Sequence, residues 1–396
     1  MHNAILKRYP PKFFAAELNR LEKWTDDVDR LREAVANAGG VPILLELFRL
    51  PYGNEADVLV KVCNIITYMA RNMVCLDILT SRGAIKCVLR AMKRHAHHTK
   101  LQSRAANALN NLAMKDENRI QIAQEGGIQH LIQAMNQHVR DQEVQANCCN
   151  ALWNLAICND NRSRICRADG VKAILQAMSQ HMNDSNLFAE GCGALWNLSD
   201  HPPTRTVILT EGAIPMLLTA MERHPQIVMM HRLACGAIES MMNDNDIGRV
   251  VLFKHPNGIA TVAAAMRNNP TDEELQSSCC GILSSLAGGD LMNLGVSSSF
   301  VSTLASHGCI PLLRAALENH SSSAKIKTRA CSAISNLAYD SQVIQTMIQE
   351  RMDEVIRATL LQNAGDTFVF GTALLALSQL TDDARLSVFQ QYARAA

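Results

Sequence analysis

Cys149-Asn-Ala-Leu-Trp-Asn-Leu155 is followed, 43 residues on, by Cys192-Gly-Ala-Leu-Trp-Asn-Leu198. Further steps give Cys235-Gly-Ala-Ile-Glu-Ser-Met241, Cys280-Gly-Ile-Leu-Ser-Ser-Leu286 and Cys331-Ser-Ala-Ile-Ser-Asn-Leu337. Backwards, the same pattern returns as Ala106-Asn-Ala-Leu-Asn-Asn-Leu112 and Cys63-Asn-Ile-Ile-Thr-Tyr-Met69. The sixth position therefore reads Tyr68, Asn111, Asn154, Asn197, Ser240, Ser285 and Asn336, with Gln379 one step beyond, at spacings of 43, 43, 43, 43, 45, 51 and 43. A period of this length marks stacked supersecondary units.

A second ladder runs through the same units. Gly-Ala-Ile-Lys-Cys-Val-Leu-Arg-Ala-Met at 83–92 recurs at 126–135, 169–178 and 212–221, with looser copies starting at Gly39, Gly258 and Gly308. Ile85, Val88, Leu89 and Met92 repeat at helical spacing and predict one buried stripe. The glycine predicts a sharp turn before this helix, where a Cβ would clash. Pro42, Pro215 and Pro311 fall in the first turn after it, where a missing N–H costs nothing. Asp and Asn at 116–118, 159–161 and 243–246 are expected to N-cap the short helix opening the next unit. One such unit cannot hide its own apolar faces, so neighbours must stack into a solenoid.

Composition agrees. Of 396 residues, 48% are apolar and only 4% aromatic, a core of Ala, Leu, Ile, Val and Met that favours helices. Lys and Arg total 38 against 37 Asp and Glu, a balance that argues against a phosphate-neutralising nucleic-acid binder. No apolar run reaches the ~18 residues needed for a membrane span. Thirteen cysteines is an odd number, and no secretory leader precedes them, so the chain is read as reduced and intracellular, in the cytoplasm with cytoskeletal, ciliary or nuclear settings open.

A unit of about 43 residues with Gly-Ala-Ile-Pro, a second helix, and a third ending Ala-Leu-x-Asn-Leu-Ala resembles the armadillo repeat. The resemblance covers about residues 38–381. It implies an all-α fold, a right-handed α-solenoid (superhelix) of about eight three-helix armadillo repeats, with the third helices lining a concave groove. Residues 1–37 are expected to form an N-terminal helical cap and 382–396 a C-terminal cap or tail. The 51-residue spacing places an insertion near 288–305, expected as a loop or extra turn.

Six cysteines (63, 149, 192, 235, 280 and 331) share one column, one per unit, and are read as small core hydrophobes rather than a metal array. His95, His138, His181, His224 and His320 form another and are expected at the C-termini of the second helices. No nucleophile–base arrangement, phosphate loop or metal-ligand spacing stands out, so neither enzyme activity nor a cofactor or metal is expected. The armadillo resemblance implies that the Asn ladder faces the groove and hydrogen-bonds an extended partner peptide. The amide suits this because it both donates and accepts. The alternative role is bonding to the solenoid's own backbone. The candidate groove residues are Asn107, Asn111, Asn150, Trp153, Asn154, Trp196, Asn197, Ser240 and Asn336. Trp153 and Trp196 either edge the groove or fill inter-repeat space.

Importin-α pairs each ladder Asn with a Trp four residues earlier; here that column reads Asn64, Asn107, Asn150, Gly193, Gly236, Gly281 and Ser332. The column seven before the Asn, Lys61, Arg104, Asn147, Glu190, Leu233, Ser278 and Arg329, is neither acidic enough for importin-α nor basic enough for β-catenin. The texture is closer to stand-alone scaffold armadillo proteins, including those of cilia, and to the repeat regions of leucine-rich-repeat kinases. The expected function is a non-enzymatic protein-interaction scaffold holding an extended or helical partner segment in the groove. A permanent subunit of an axonemal or other cytoskeletal assembly is the alternative, and a nuclear-import adaptor ranks third.

Overall fold

The computed structural model describes residues 11–27, 29–49, 55–288, 299–363 and 365–380, and every regular element among them is helical. The chain divides into two units, residues 1–211 and 212–396. In the first, the third helices Glu55–Met69, Thr99–Leu112, Gln142–Leu155 and Ser185–Ser199 pack each on the next. The N-terminal helix Pro11–Asp27 packs on Glu55–Met69, and Asp29–Asn37 follows it. In the second unit, Val228–Met242, Glu273–Gly288, Ala324–Leu337 and Thr367–Leu380 stack in the same way. Each unit is an all-α solenoid of three-helix repeats, as the period predicts.

The repeat chemistry explains the geometry. In the second helix Ala84–Arg94, Ile85, Val88, Leu89 and Met92 are all buried, so the predicted stripe is the packed one. Burying each such side chain contributes about 1.5–3 kcal/mol. The turn before this helix is left-handed at Gly39, Gly83, Gly126, Gly212 and Gly308, with φ between +74° and +85°. Asp169 and Arg351 hold the same turn at φ +60° and +53°, a strained choice for residues with a Cβ. The looser copy at Gly258 differs: Asn257 precedes its helix at φ −110°, so no left-handed turn forms there.

The predicted N-caps form at one of the three sites. Asn245 accepts from the backbone N–H groups of Ile247 and Gly248, at 3.0 and 3.3 Å. At 116–118 and 159–161, however, the caps are Lys115 and Cys158, with no side-chain bond. Asn118 and Asn161 instead lie buried inside the first turn and donate back to Leu112 O (2.9 Å) and Leu155 O (3.1 Å). The Thr204 hydroxyl donates likewise to Leu198 O. The reason is that the third helix ends inside the stack, where its last carbonyls have no water. The buried amide therefore serves the preceding C-terminus rather than its own N-terminus.

Two further columns tie repeats together. His95, His138, His181, His224 and His320 occupy the expected C-cap positions. Beyond that, Nε2 of His138, His181 and His320 donates to Ala96 O, Val139 O and Pro270 O of the preceding repeat, at 2.7, 2.8 and 2.9 Å. Gln102, Gln145 and Gln276, nine residues before the ladder position, each donate Nε2–H to two backbone carbonyls at the end of the second helix. The six column cysteines are fully buried, and burial pushes the Cys63, Cys280 and Cys331 thiols up to about 12. Of the predicted insertion, 289–298 lie outside the described residues, and Ser299–Ser306 forms the next first helix. The C-terminal cap at 382–396 also lies outside them.

Candidate protein-binding face

On each third helix, the residues packed against the other helices are buried, leaving one half-buried stripe. In Gln142–Leu155 the stripe holds Asn147, Asn150, Trp153 and Asn154, while Cys148, Cys149, Ala151, Leu152 and Leu155 face inward. The spacing of three and four residues follows from the helical period. All nine candidates, Asn107, Asn111, Asn150, Trp153, Asn154, Trp196, Asn197, Ser240 and Asn336, are half-buried. Stacking brings those of the first unit into one band, and Ser240 and Asn336 belong to the band of the second.

The ladder amides are engaged with the protein itself. Asn154 Nδ2 donates to Asn110 Oδ1 (2.5 Å), Asn197 Nδ2 to Trp153 O (3.1 Å), and Asn336 Nδ2 to Ser284 O (3.1 Å), each on the preceding third helix. Asn111 Nδ2 stays within its own helix, donating to Asn107 O and Oδ1 at 3.0 and 3.1 Å. The alternative role raised from sequence is thus occupied: one N–H of Asn154, Asn197 and Asn336 ties each to the preceding repeat, and Asn111 bonds its own helix. None of these bonds uses the Oδ1 of Asn197 or Asn336.

Trp153 neither fills the core nor stands free. A Cβ at Gly193 would lie 2.4 Å from its Cε2 and 2.6 Å from Cδ2, so the indole lies directly on the glycine of the next third helix. The same relation recurs in the second unit, where a Cβ at Gly281 would meet Glu239 Oε1 at 2.1 Å. Glu239 occupies the column of the tryptophans, and Gly281 the column of Gly193. A large residue at that position is accommodated by the missing side chain one repeat later.

Charge on the two bands differs. Arg329 reaches past Ser277 (2.9 Å) to form a two-point ion pair with Glu239, Nη2–Oε1 2.5 Å and Nη1–Oε2 3.1 Å. Burial raises the Glu239 carboxyl above its usual range, and the Arg329 guanidinium opposes that. In the first unit, Glu190 has no such cation among the described residues. Burial, then Asp184, pushes its pKa up to about 8, against the Asn150 amide that donates to Oε1 at 3.3 Å. Its Oε2 is buried without a hydrogen-bond partner among the described residues. Arg104 at the other end of this band pairs with Glu143 at 2.8 Å.

Compared with known proteins, the profile of the LRRK2 ARM repeat matches residues 59–387. This chain belongs to the LRRK2 ARM-repeat family. Among solved structures, one engineered protein aligns over 94% of this chain and 87% of its own, at TM-score 0.77 and 20% identity. A second engineered protein covers 60% of this chain and 95% of its own at TM-score 0.54 and 19% identity. A designed armadillo repeat protein covers 57% and 92% at TM-score 0.51 and 16% identity. At these identities the likeness shows the fold alone. No curated protein matches.

An ARM-repeat solenoid is generally a protein-interaction scaffold, and the fold is typically non-enzymatic. Among the described residues no group of His, Cys, Asp or Glu is placed to hold a metal, and no single helix is long and apolar enough to cross a membrane. Reading this ARM-repeat sequence missed the part played by Gly193, Gly281, Glu190, Glu239 and Arg329. The signal was present in the columns four, seven and one before the ladder. It becomes legible only when residues are paired between repeats rather than read along one.

Proposed function

We propose that this protein is a non-enzymatic interaction scaffold whose third-helix face in the first unit receives an extended or helical segment of a partner protein. The observation that carries the reading is the band itself: stacked amides at Asn107, Asn111, Asn150, Asn154 and Asn197, half-buried yet open on one side, beside the Trp153 and Trp196 indoles. An amide fixed by one N–H to the scaffold is a preorganised acceptor and second donor for a peptide backbone. A tryptophan held flat on a glycine is a rigid apolar platform, the residue type enriched at binding hot spots. The same reading places the protein in the cytoplasm, where free thiols such as its thirteen remain reduced.

The test is site-directed photocrosslinking in cells with a benzophenone amino acid at Asn154 and, as a control, at the exposed Arg164. A partner crosslinked from position 154, absent from 164, and lost in the Asn150→Arg variant with an unchanged far-UV spectrum supports the assignment. Crosslinking from 164 alone, or capture unchanged by Asn150→Arg, overturns it.

A further inference from the structure

From Ile78 to Lys115 the chain carries eight Lys and Arg and no Asp or Glu, although the whole sequence is balanced at 38 against 37. The run includes the second helix Ala84–Arg94. Its buried stripe uses Ile85, Val88, Leu89 and Met92, and its outer face holds Lys86, Arg90 and Lys93, all exposed. Spacings of four and three residues put these cations on one side, and the helical rise spreads them over about 10.5 Å.

The other repeats show what stacking itself demands at these three positions. The next copies read Gln129, Gln133 and Asn136, then Lys172, Gln176 and Ser179, then Pro215, Thr219 and Glu222. A wholly cationic face is therefore no requirement of the solenoid. Nor is it neutralised by its neighbours. Arg90 and Lys93 have no ion pair among the described residues, and Lys86 meets Glu125 only at 3.8 Å. Glu46, on the preceding second helix, is already engaged by Arg49 at 2.6 Å.

Between this face and Gly127–Gln137 lies a crevice of about 340 Å³. Lys86, Leu89, Arg90 and Lys93 line it from one side, Glu125 and His130 from the other. Leu89 is buried, so the crevice has an apolar floor, and the aliphatic stems of the long cations extend it.

We propose that this crevice and the basic face beside it form a second docking surface, for an acidic segment of a partner polypeptide whose carboxylates pair with Lys86, Arg90 and Lys93. A carboxylate matches the Arg90 guanidinium at two points, a fit that a lone lysine lacks. A concave, apolar-floored crevice suits a chain of side chains better than a flat bilayer. Neither Ala84–Arg94 nor Gly127–Gln137 exposes a large apolar side chain to enter lipid. No Phe, Tyr or Trp lines the crevice to stack on a nucleic-acid base. The surface belongs to second helices rather than to the third-helix band, so it stands or falls independently of the function proposed above.

Fluorescence anisotropy of the full-length protein tests this with a dye-labelled dodecapeptide of alternating Glu and Ala and with its Gln–Ala counterpart. The Glu peptide is expected to bind saturably, at least roughly tenfold more tightly than the Gln peptide, and to weaken as salt rises. Lys86→Glu/Arg90→Glu/Lys93→Glu should lose at least roughly tenfold in affinity. Arg164→Glu/Arg167→Glu/Lys172→Glu makes the same change in net charge at exposed positions elsewhere in the first unit and should lose less than about twofold. Glu125→Gln keeps the side chain's shape while removing the opposing carboxylate, and should tighten binding by roughly two- to threefold. No saturable binding of the Glu peptide, an equal loss in both triple variants, or no gain from Glu125→Gln overturns the proposal. So does tighter binding of oligouridine, or of phosphatidylcholine vesicles containing phosphatidylserine, at the same salt.

Discussion

The contact between Trp153 and Gly193 makes a prediction whose sign depends on the partner residue. Gly→Ala inside a helix ordinarily stabilises by about 1 kcal/mol. At Gly193 the new methyl would stand 2.4 Å from Trp153 Cε2, whereas carbon–carbon contacts are optimal near ~3.5–4.0 Å. The indole must retreat by about 1 Å, and its own carbonyl is held by Asn197 at 3.1 Å. Overpacking of this kind costs about 1–3 kcal/mol. Gly193→Ala should therefore destabilise the wild type by about 1 kcal/mol net, yet stabilise a Trp153→Ala background by about 1 kcal/mol. The double-mutant cycle then gives a coupling of about 2 kcal/mol. Urea unfolding by far-UV circular dichroism measures it, and native-state hydrogen exchange of the Ser185–Ser199 amides localises it. If Gly193→Ala stabilises both backgrounds alike, with coupling under about 0.5 kcal/mol, the indole does not lie on Gly193 and the platform argument fails with it.

Three other outcomes follow from the same geometry. Asn161→Ala leaves Leu155 O and Arg119 O without their shared donor and should cost about 2 kcal/mol in urea unfolding, while Asn159→Ala, exposed two residues earlier, should change stability by under about 0.5 kcal/mol. Glu190 is raised to about 8 in the folded protein, so the folded state binds its proton more tightly than the unfolded chain does; its favourable contribution is full below about pH 4.5 and is lost as pH rises through 8. Glu190→Gln should therefore raise the thermal midpoint at pH 8.5 and leave it nearly unchanged at pH 4.5. Arg329→Ala strands the half-buried Glu239 carboxylate and should cost about 1–2 kcal/mol, between the exposed and fully buried cases, with Glu239→Gln restoring most of it in the double variant.

The band of candidate residues was legible in part. Helical spacing placed Asn150 and Asn154 on one face before any coordinates, because four residues return to the same side of a helix, but it left Trp153 open between the groove edge and the space between repeats. What the amides bond to was not legible. Asn154 and Asn197 reach the preceding repeat and Asn111 does not, a difference set by distances between helices. The N-cap expectation failed at 118 and 161 for a related reason: capping is a local rule, and those amides answer to the C-terminus of another helix, six residues back and buried.

The period alone determined that this chain is a helical solenoid. A 43-residue unit with one apolar stripe per helix has no way to exclude water except by stacking on its copies. The sharp turn before the second helix was legible from the repeated glycine, and Gly39, Gly83, Gly126, Gly212 and Gly308 take it left-handed, whereas the copy at Gly258 does not. Only the tertiary structure decided what happens between repeats: that Trp153 rests on Gly193 and that Arg329 pairs with Glu239. Local sequence sets each helix's faces, but the contacts between faces depend on side chains from different repeats meeting at ångström separations, and no single stretch of sequence contains both halves of such a pair.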